Sequence, residues 1–259
     1  MSFTQIASLA AVGLFFGMLV FLEIGRRVGV ARLARDPGGL AKGVGTVEGA
    51  VFGLLGLIIA FTFSGAASRF EHRRHLVAEE ANAIGTAYLR IDLLPGDAQI
   101  EVRELFRRYL DSRLESYRDM GDETATKAKL AETAALQGEI WTKALTAATR
   151  PEAPTQAALL LLPALNAMID ITTTRAMATR IHPPLVVFLL LAGLSLVGSL
   201  LVGYSMSDNA HRSWLHMAAF VILIALVAYV IVDIEFPRLG LIRVDAADQF
   251  LVELRNNMR

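Results

Sequence analysis

The stretch from Glu48 to Pro95, EGAVFGLLGLIIAFTFSGAASRFEHRRHLVAEEANAIGTAYLRIDLLP, decides the fold. Its first part, about Glu48–Ala67, is apolar and carries no charge after Glu48. That length crosses about 30 Å of hydrocarbon at about 1.5 Å per residue. Its second part, from Arg69 on, is rich in charge, yet no Gly-Pro punctuation interrupts it before Pro95-Gly96. One helix is therefore predicted to cross a membrane and then continue into water.

Three further apolar blocks flank this stretch: Ile6–Leu22, Pro184–Val202 and about Met217–Phe236. The last two have the length of a spanning helix, and Ile6–Leu22 is at the short end. A signal peptide competes with the first block. Its start, MSFTQ, has no Lys or Arg, and Glu23 and Arg26-Arg27 follow the block at once, so a retained helix is expected. Four spans place both termini on one side. Orientation rests on Lys and Arg near the span ends. Arg26, Arg27, Arg32, Arg35, Lys42 and Arg212 lie on one side. Arg69, Arg73, Arg74, Arg175, Arg180, Arg238, Arg243, Arg255 and Arg259 lie on the other. The larger group favours a cytoplasmic middle region and tail, and the density of the first five argues the opposite.

Composition agrees with a polytopic membrane protein. Hydrophobic residues make up 54% and charged residues 19% of the 259, against about 45–50% and about 25% in soluble domains. That excludes disorder, which needs low hydrophobicity. The absence of cysteine excludes disulfides and thiolate metal sites. A net charge of zero gives no general attraction to nucleic acid.

Residues 69–182 hold 15 of the 25 basic and 16 of the 25 acidic residues. They read as helical throughout, with no strand alternation and no repeat. Asp97 is the expected N-cap of a helix whose Val102, Leu105, Phe106, Tyr109, Leu110, Leu114 and Tyr117 form one apolar stripe, with Glu104 and Arg108 as an outer i,i+4 pair. Further helices are expected over about Glu123–Ala148 and Thr155–Arg180, and a short amphipathic one over Ala246–Met258. The expected divisions are 1–68 (spans one and two), 69–182 (a helical extramembrane domain), 183–237 (spans three and four) and 238–259 (tail helix).

Few motifs suggest chemistry. The glycines from Gly38 to Thr46 do not fit a phosphate loop, because Lys42 precedes glycine and no strand leads in. They read as a flexible turn. His72 and His75 with Glu71 and Glu79 offer two or three ligands at most, short of a metal shell, and read as a solvated helix face. Gly13 and Gly17 permit close helix packing. Glu48 at the mouth of span two is either a helix-start charge or part of a charged ring at a pore entrance. Asp233, Glu235 and Arg238 close span four as an interfacial anchor, with Glu235 and Arg238 spaced as an ion pair. In span two, Phe52, Gly56, Ile59, Phe63, Ala67 and Phe70 fall on one stripe. That stripe is either a packing seam or the lining of a hydrophobic constriction.

The segment GLLGLIIAFTFSGAASRFEHRRHLVAEEANAIGTAYLRIDLLP (Gly53–Pro95) resembles a bacterial bestrophin-like membrane family of unknown function, and more distantly the second segment of bacterial bestrophins. Phe61 stands at that segment's closing Phe, and Arg69-Phe70 at its Arg-aromatic pair. The order of two spans, a long helical insert and two spans is also similar. The resemblance implies an all-α, four-span fold and a homopentamer with helix two around a central axis. It also implies a cytoplasmic insert and an ion path with a hydrophobic neck lined by the stripe Phe52–Phe70. Phe70-Glu71 stands where the family has an aromatic doublet. The stretch after span four holds only Asp245 and Asp248, which argues against the calcium cluster of animal bestrophins.

The expected function is thus an oligomeric ion channel of the cell (inner) membrane, multi-pass, and not an enzyme. Its expected partners are lipid, copies of itself and inorganic ions, with no cofactor, no metal and no nucleic acid. The alternative is a membrane-anchored sensor or scaffold whose helical extramembrane domain binds a ligand or partner.

Overall fold

The computed structural model describes residues 3–36, 44–118, 123–208, 214–237, 240–242 and 244–258. The regular elements among them are all helical. They are α1 (Phe3–Leu33), α2 (Val44–Leu89), α3 (Gly96–Arg118), α4 (Glu123–Ala148), α5 (Gln156–Ala178), α6 (Leu185–Ser205), α7 (Trp214–Glu235) and α8 (Gln249–Asn257). Short 3-10 turns follow α2 and α6 and precede α8. The glycine turn around Gly38, Lys42, Arg212, Arg238, Arg243 and Arg259 lie outside the described residues, as does the Tyr117 side chain.

Helix ends follow local chemistry. α2 tightens into the 3-10 turn Arg90–Leu93 and stops before Pro95, whose ring and missing N–H oppose continuation. α3 begins at Gly96, and the N–H groups of Ala98 and Gln99 donate to the Pro95 carbonyl at 3.0 and 3.1 Å. The expected cap, Asp97, instead sits inside the first turn, where its carboxylate takes a 2.6 Å hydrogen bond from Arg150. α6 starts directly after Pro183-Pro184, whose fixed φ suits a helix entrance.

The chain divides into two compact units, Met1–Ser68 with His182–Ile242, and Arg69–Ile181 with Arg243–Arg259. In the first unit, α1 and α6 meet backbone to backbone. A Cβ at Gly25 would collide with the Leu200 carbonyl, and one at Gly203 with that of Leu22. Gly29 lies against Ser207 and Gly17 against Leu196. The small residues of α6 and its exit, Ser195, Ser199, Gly203 and Ser207, recur every fourth position and so share one face. The Ser195 and Ser199 hydroxyls donate to the carbonyls four residues back, both at 2.8 Å, so the seam holds no unsatisfied hydroxyl. Of the two glycines that permit close packing in α1, Gly17 is used in this way and a Cβ at Gly13 would meet nothing within 4 Å. Two apolar clusters complete the unit, one around Met18, Leu22, Met217 and Val221, the other around Leu55, Ala66, Leu191 and Ile231.

The second unit has a larger side-chain core. Ile84 and Ile91 from the α2 side, Phe106, Tyr109 and Leu110 of α3, Ile140 of α4, Leu161, Leu165 and Met168 of α5, and Leu251 of α8 are fully buried. The α3 stripe reads as expected from Val102 to Leu110, with Leu114 packed on its edge. The outer ion pair differs: Glu104 accepts from Arg107 at 2.8 Å, one residue short of Arg108, because one turn of helix allows either partner.

A charged cluster is sealed into this core. Glu80, fully buried, accepts from Arg113 at 2.7 Å and from Arg175. Arg175 is also 3.9 Å from Asp248. Burial pushes the Glu80 carboxyl up, but the two guanidinium groups outweigh it and hold it below its ordinary value. Beside it the Gln137 amide donates to the Tyr109 and Thr172 oxygens, each at 3.3 Å. Burial, and then the nearby Glu80 charge, raise the Tyr109 phenol far above its usual range. Arg73 donates to the carbonyls of Ala178 and Ile181, both at 3.0 Å, supplying donors to carbonyls at and beyond the end of α5. Arg255 forks onto both oxygens of Asp111 at 2.8 and 2.9 Å, which fastens α8 to α3.

Five helices are long and apolar enough to cross a membrane: α1, α2, α5, α6 and α7. α5 is the one that the sequence reading placed in the extramembrane domain. Its Leu161, Leu165 and Met168 are spent in the second unit's core, and its outer side mixes Asn166, Asp170, Thr173 and Thr174 with exposed Leu159 and Met177.

Candidate functional site

The apolar half of α2 has two unlike sides. On one, Leu55, Thr62 and Ala66 are buried, and Phe52, Ile58 and Ile59 pack against the Leu191–Ile231 cluster. The Thr62 hydroxyl is satisfied by the Ile58 and Ile59 carbonyls at 2.7 and 3.1 Å. The Phe52 ring meets Phe220 edge-on, with centroids 6.0 Å apart. On the other side Gly49, Gly53, Gly56, Leu57, Ala60 and Ser64 are exposed.

The glycines of that exposed side are the telling feature. A Cβ at Gly45, Gly49, Gly53 or Gly56 would meet nothing within 4 Å. Glycine inside a helix costs roughly 0.5–1 kcal/mol against alanine. Four in register, serving no contact of their own chain, leave a smooth flank along which another backbone can come close. Two large rings border the flank: Phe61 is 66% exposed and Phe63 45%.

The sequence-predicted stripe is therefore divided. Phe52 and Ile59 are half-buried against the Leu191–Ile231 cluster, Gly56 and Phe63 are exposed, and Ala67 is half-buried. Phe70 belongs to the second unit and packs against its core, while Arg69 is half-buried. Glu48 is half-buried and accepts a hydrogen bond from the Ser205 hydroxyl of α6.

The remaining polar candidates are also placed. His72 and His75 are exposed, with His75 3.7 Å from Glu71, and Glu79 is exposed. No three His, Asp or Glu side chains converge on a metal position among the described residues. Arg238 lies outside the described residues, and Glu235 bonds the His182 ring at 3.0 Å. That ring stacks on Phe236 with centroids 4.4 Å apart. Asp233 is buried and accepts from the backbone of Leu241 and Ile242.

A profile of the bestrophin-like domain matches residues 12–248. The chain belongs to the bestrophin-like family. Among solved structures it is similar to a bacterial bestrophin homologue from Klebsiella pneumoniae, crystallised with a point mutation. The TM-score is 0.68 at 12% identity, covering 95% of this chain and all of that one. At that identity the likeness speaks for the shared fold. Among curated proteins none matches.

For this bestrophin-like protein the features that sequence reasoning missed share a cause. Gly25 and Gly29, the Ser195-to-Ser207 register and the pairing of Glu80 with Arg113 and Arg175 are all contacts between distant segments. A signal for the first two existed, since small residues four apart are visible in the sequence. Nothing local marks Glu80 among the many glutamates of the second unit.

Proposed function

We propose that this bestrophin-like protein is an oligomeric ion channel whose path runs along the uncovered face of α2. One observation carries the reading: the four helical glycines from Gly45 to Gly56 that serve no contact within the chain. Gly13 of α1 and Gly193 of α6 are open as well, but each stands alone, whereas the four of α2 share one flank. By contrast α6 and α7 present Leu185, Leu189, Leu190, Leu215 and Leu223 outward. A ring of α2 helices around an axis needs a flank that admits a neighbour closely. It also presents apolar side chains inward, where a narrow apolar passage gates ions by dewetting.

In this arrangement Phe63 forms the neck with Gly56 on the same side of the helix, Phe61 borders the other edge of the flank, and Phe52 and Ile59 hold α2 against α6 and α7. Ala67 sits at the end of the apolar run, where Arg69 and Phe70 open the polar part of the helix. Glu48, tied to Ser205, marks the entrance. α1, α2, α6 and α7 are the four spans, and α5 stays with the helical domain because its Leu161, Leu165 and Met168 are spent in that core and its outer side carries Asn166 and Asp170. Five copies around the axis, a cytoplasmic helical domain and residence in the cell membrane belong to the same reading. The test is flux from liposomes holding the purified protein, together with native mass spectrometry. Five copies and an altered flux in Phe63→Ala, with Phe61→Ala weakening the assembly if it acts at all, are expected. A monomer, or wild-type flux in Phe63→Ala, would overturn it.

A second reading has its own observation. In the second unit Asn82, Thr86 and Arg90 of the α2 side and Pro163 and Ala167 of α5 line a shallow groove of about 310 Å³. A sensor or scaffold would bind its ligand there. A reporter fused at Gly121 separates the two, because an extracellular position favours the sensor and a cytoplasmic one the channel.

A further inference from the structure

The end of α7 carries a carboxylate where a membrane helix should carry none. Leu215, Ile222 and Leu226 share one face of α7 at helical spacing, and all three are exposed. Asp233 falls on the same face, one turn from the helix end. On position alone it is the next outward-pointing residue of that stripe. It is nonetheless only 1% exposed.

The chain beyond the helix covers it. After Phe236 the backbone turns back, with the Gly240 N–H donating to the Phe236 carbonyl at 3.2 Å. The Leu241 N–H then donates to both Asp233 oxygens at 2.9 and 3.1 Å, and the Ile242 N–H to one of them at 2.7 Å. A Cβ at position 240 would run into the Asp233 carboxyl, so any side chain there has to push the carboxylate aside. The backbone thus turns its polar edge onto the charge. Its side chains go the other way: Leu241 is 74% exposed and Ile242 36%.

We infer that Gly240-Leu241-Ile242 is a membrane-interface anchor, in which Asp233 holds the turn so that Leu241 and Ile242 enter the lipid interface. The occupant follows from continuity. The turn replaces a carboxylate with two aliphatic side chains on the outward stripe of an apolar helix, at the level of its last turn. With α7 as a span, that stripe presents the exposed Leu215, Ile222 and Leu226 to lipid. A backbone edge left facing hydrocarbon is strongly unfavourable, and here that edge is satisfied by Asp233. The inference rests on reading α7 as a membrane span.

The chain has no cysteine, so single-cysteine variants can be spin-labelled without background changes. Full-length protein carrying a nitroxide at Leu241→Cys is reconstituted in phosphatidylethanolamine and phosphatidylglycerol vesicles. Collisions with oxygen report lipid, and collisions with a nickel chelate report water. Leu223→Cys in mid-α7 and Ile100→Cys in α3 serve as references. The expected result is a label at Leu241 that oxygen reaches and nickel does not, as at Leu223. Adding Asp233→Asn, or Gly240→Val, should raise its nickel accessibility several-fold toward that of Ile100 and leave Leu223 unchanged. Nickel access at Leu241 with Leu223 protected overturns the anchor alone. Nickel access at both overturns the span as well. Protection of Leu241 from both reagents places a second copy of the chain on the turn and overturns the lipid assignment. Unchanged accessibility in both release variants removes Asp233 as the holder.

Discussion

The glycines of α1 and α6 and those of α2 are the same residue in two different jobs. Gly25 and Gly203 are spent inside the chain, where each lets one helix backbone rest on the other. Gly45, Gly49, Gly53 and Gly56 are spent on nothing inside it. The difference teaches how such a chain must be built. Lipid tails are as apolar as leucine, so helices in a membrane gain little from burying leucine and gain more from close backbone contact. Glycine on a helix is then either a used contact or a reserved one. The second unit shows the other regime. There burial of side chains from water, at about 25 cal/mol per Å² of apolar surface, supplies the stabilisation, and Glu80 is sealed between two arginines.

The largest expected effect lies in that second regime and sets the scale for the glycines. Glu80→Ala leaves Arg113 and Arg175 buried against each other, and should lower stability by about 3–5 kcal/mol. Thermal unfolding in detergent, followed by helical circular dichroism, reads it. An unchanged melt would show that the ion cluster contributes nothing. The same carboxylate predicts a response to acid. The arginines hold its folded value below the ordinary 4.5. Its contribution is therefore complete above the unfolded value and lost as pH falls through the lower folded one. The wild-type melt should drop in that window, and Glu80→Gln should flatten the drop.

Next comes the used glycine. Gly203→Val forces a side chain into the Leu22 backbone and should cost at least the usual overpacking penalty of about 1–3 kcal/mol. The reserved glycines should behave in the opposite way and form the smallest effect. Gly53→Leu meets open space and trades a poor helix former for a good one. Stability of the single chain should stay level or rise by up to about 1 kcal/mol, while native mass spectrometry shows the oligomer breaking up. A Gly53→Leu protein that melts like Gly203→Val would erase the distinction. One that keeps its oligomer would make the α2 face a lipid surface.

Much of the helical layout was legible. The bounds of α4 read straight from the run between Glu123 and Ala148, and the α3 stripe from Val102 to Leu110 from its spacing. The candidate site was legible only as a segment. The choice of Phe52 and Ile59 as partners of Phe63 followed from periodicity. On that same stripe Phe52 and Ile59 also pack against Leu191 and Ile231, more than a hundred residues away, while Gly56 and Phe63 stay exposed. Asp97 and Glu104 illustrate the same limit at short range. Each does its work with Arg150 or Arg107 in place of the role its immediate sequence suggested.

The sequence by itself determined that this is a helical membrane protein, where its apolar blocks lie, and which family it resembles, though α1 runs on to Leu33, past the block that ended at Leu22. These properties depend on hydrophobicity, helix-breaking residues and spacing along one strand of chain, so they can be summed residue by residue. Only the tertiary structure decided which glycines are used, which face of α2 is open, that Glu80 is sealed between two arginines and that Asp233 is covered by the turn after its own helix. Each of those depends on what a side of a helix meets, and that is set by backbone approach and charge pairing between segments far apart in the chain.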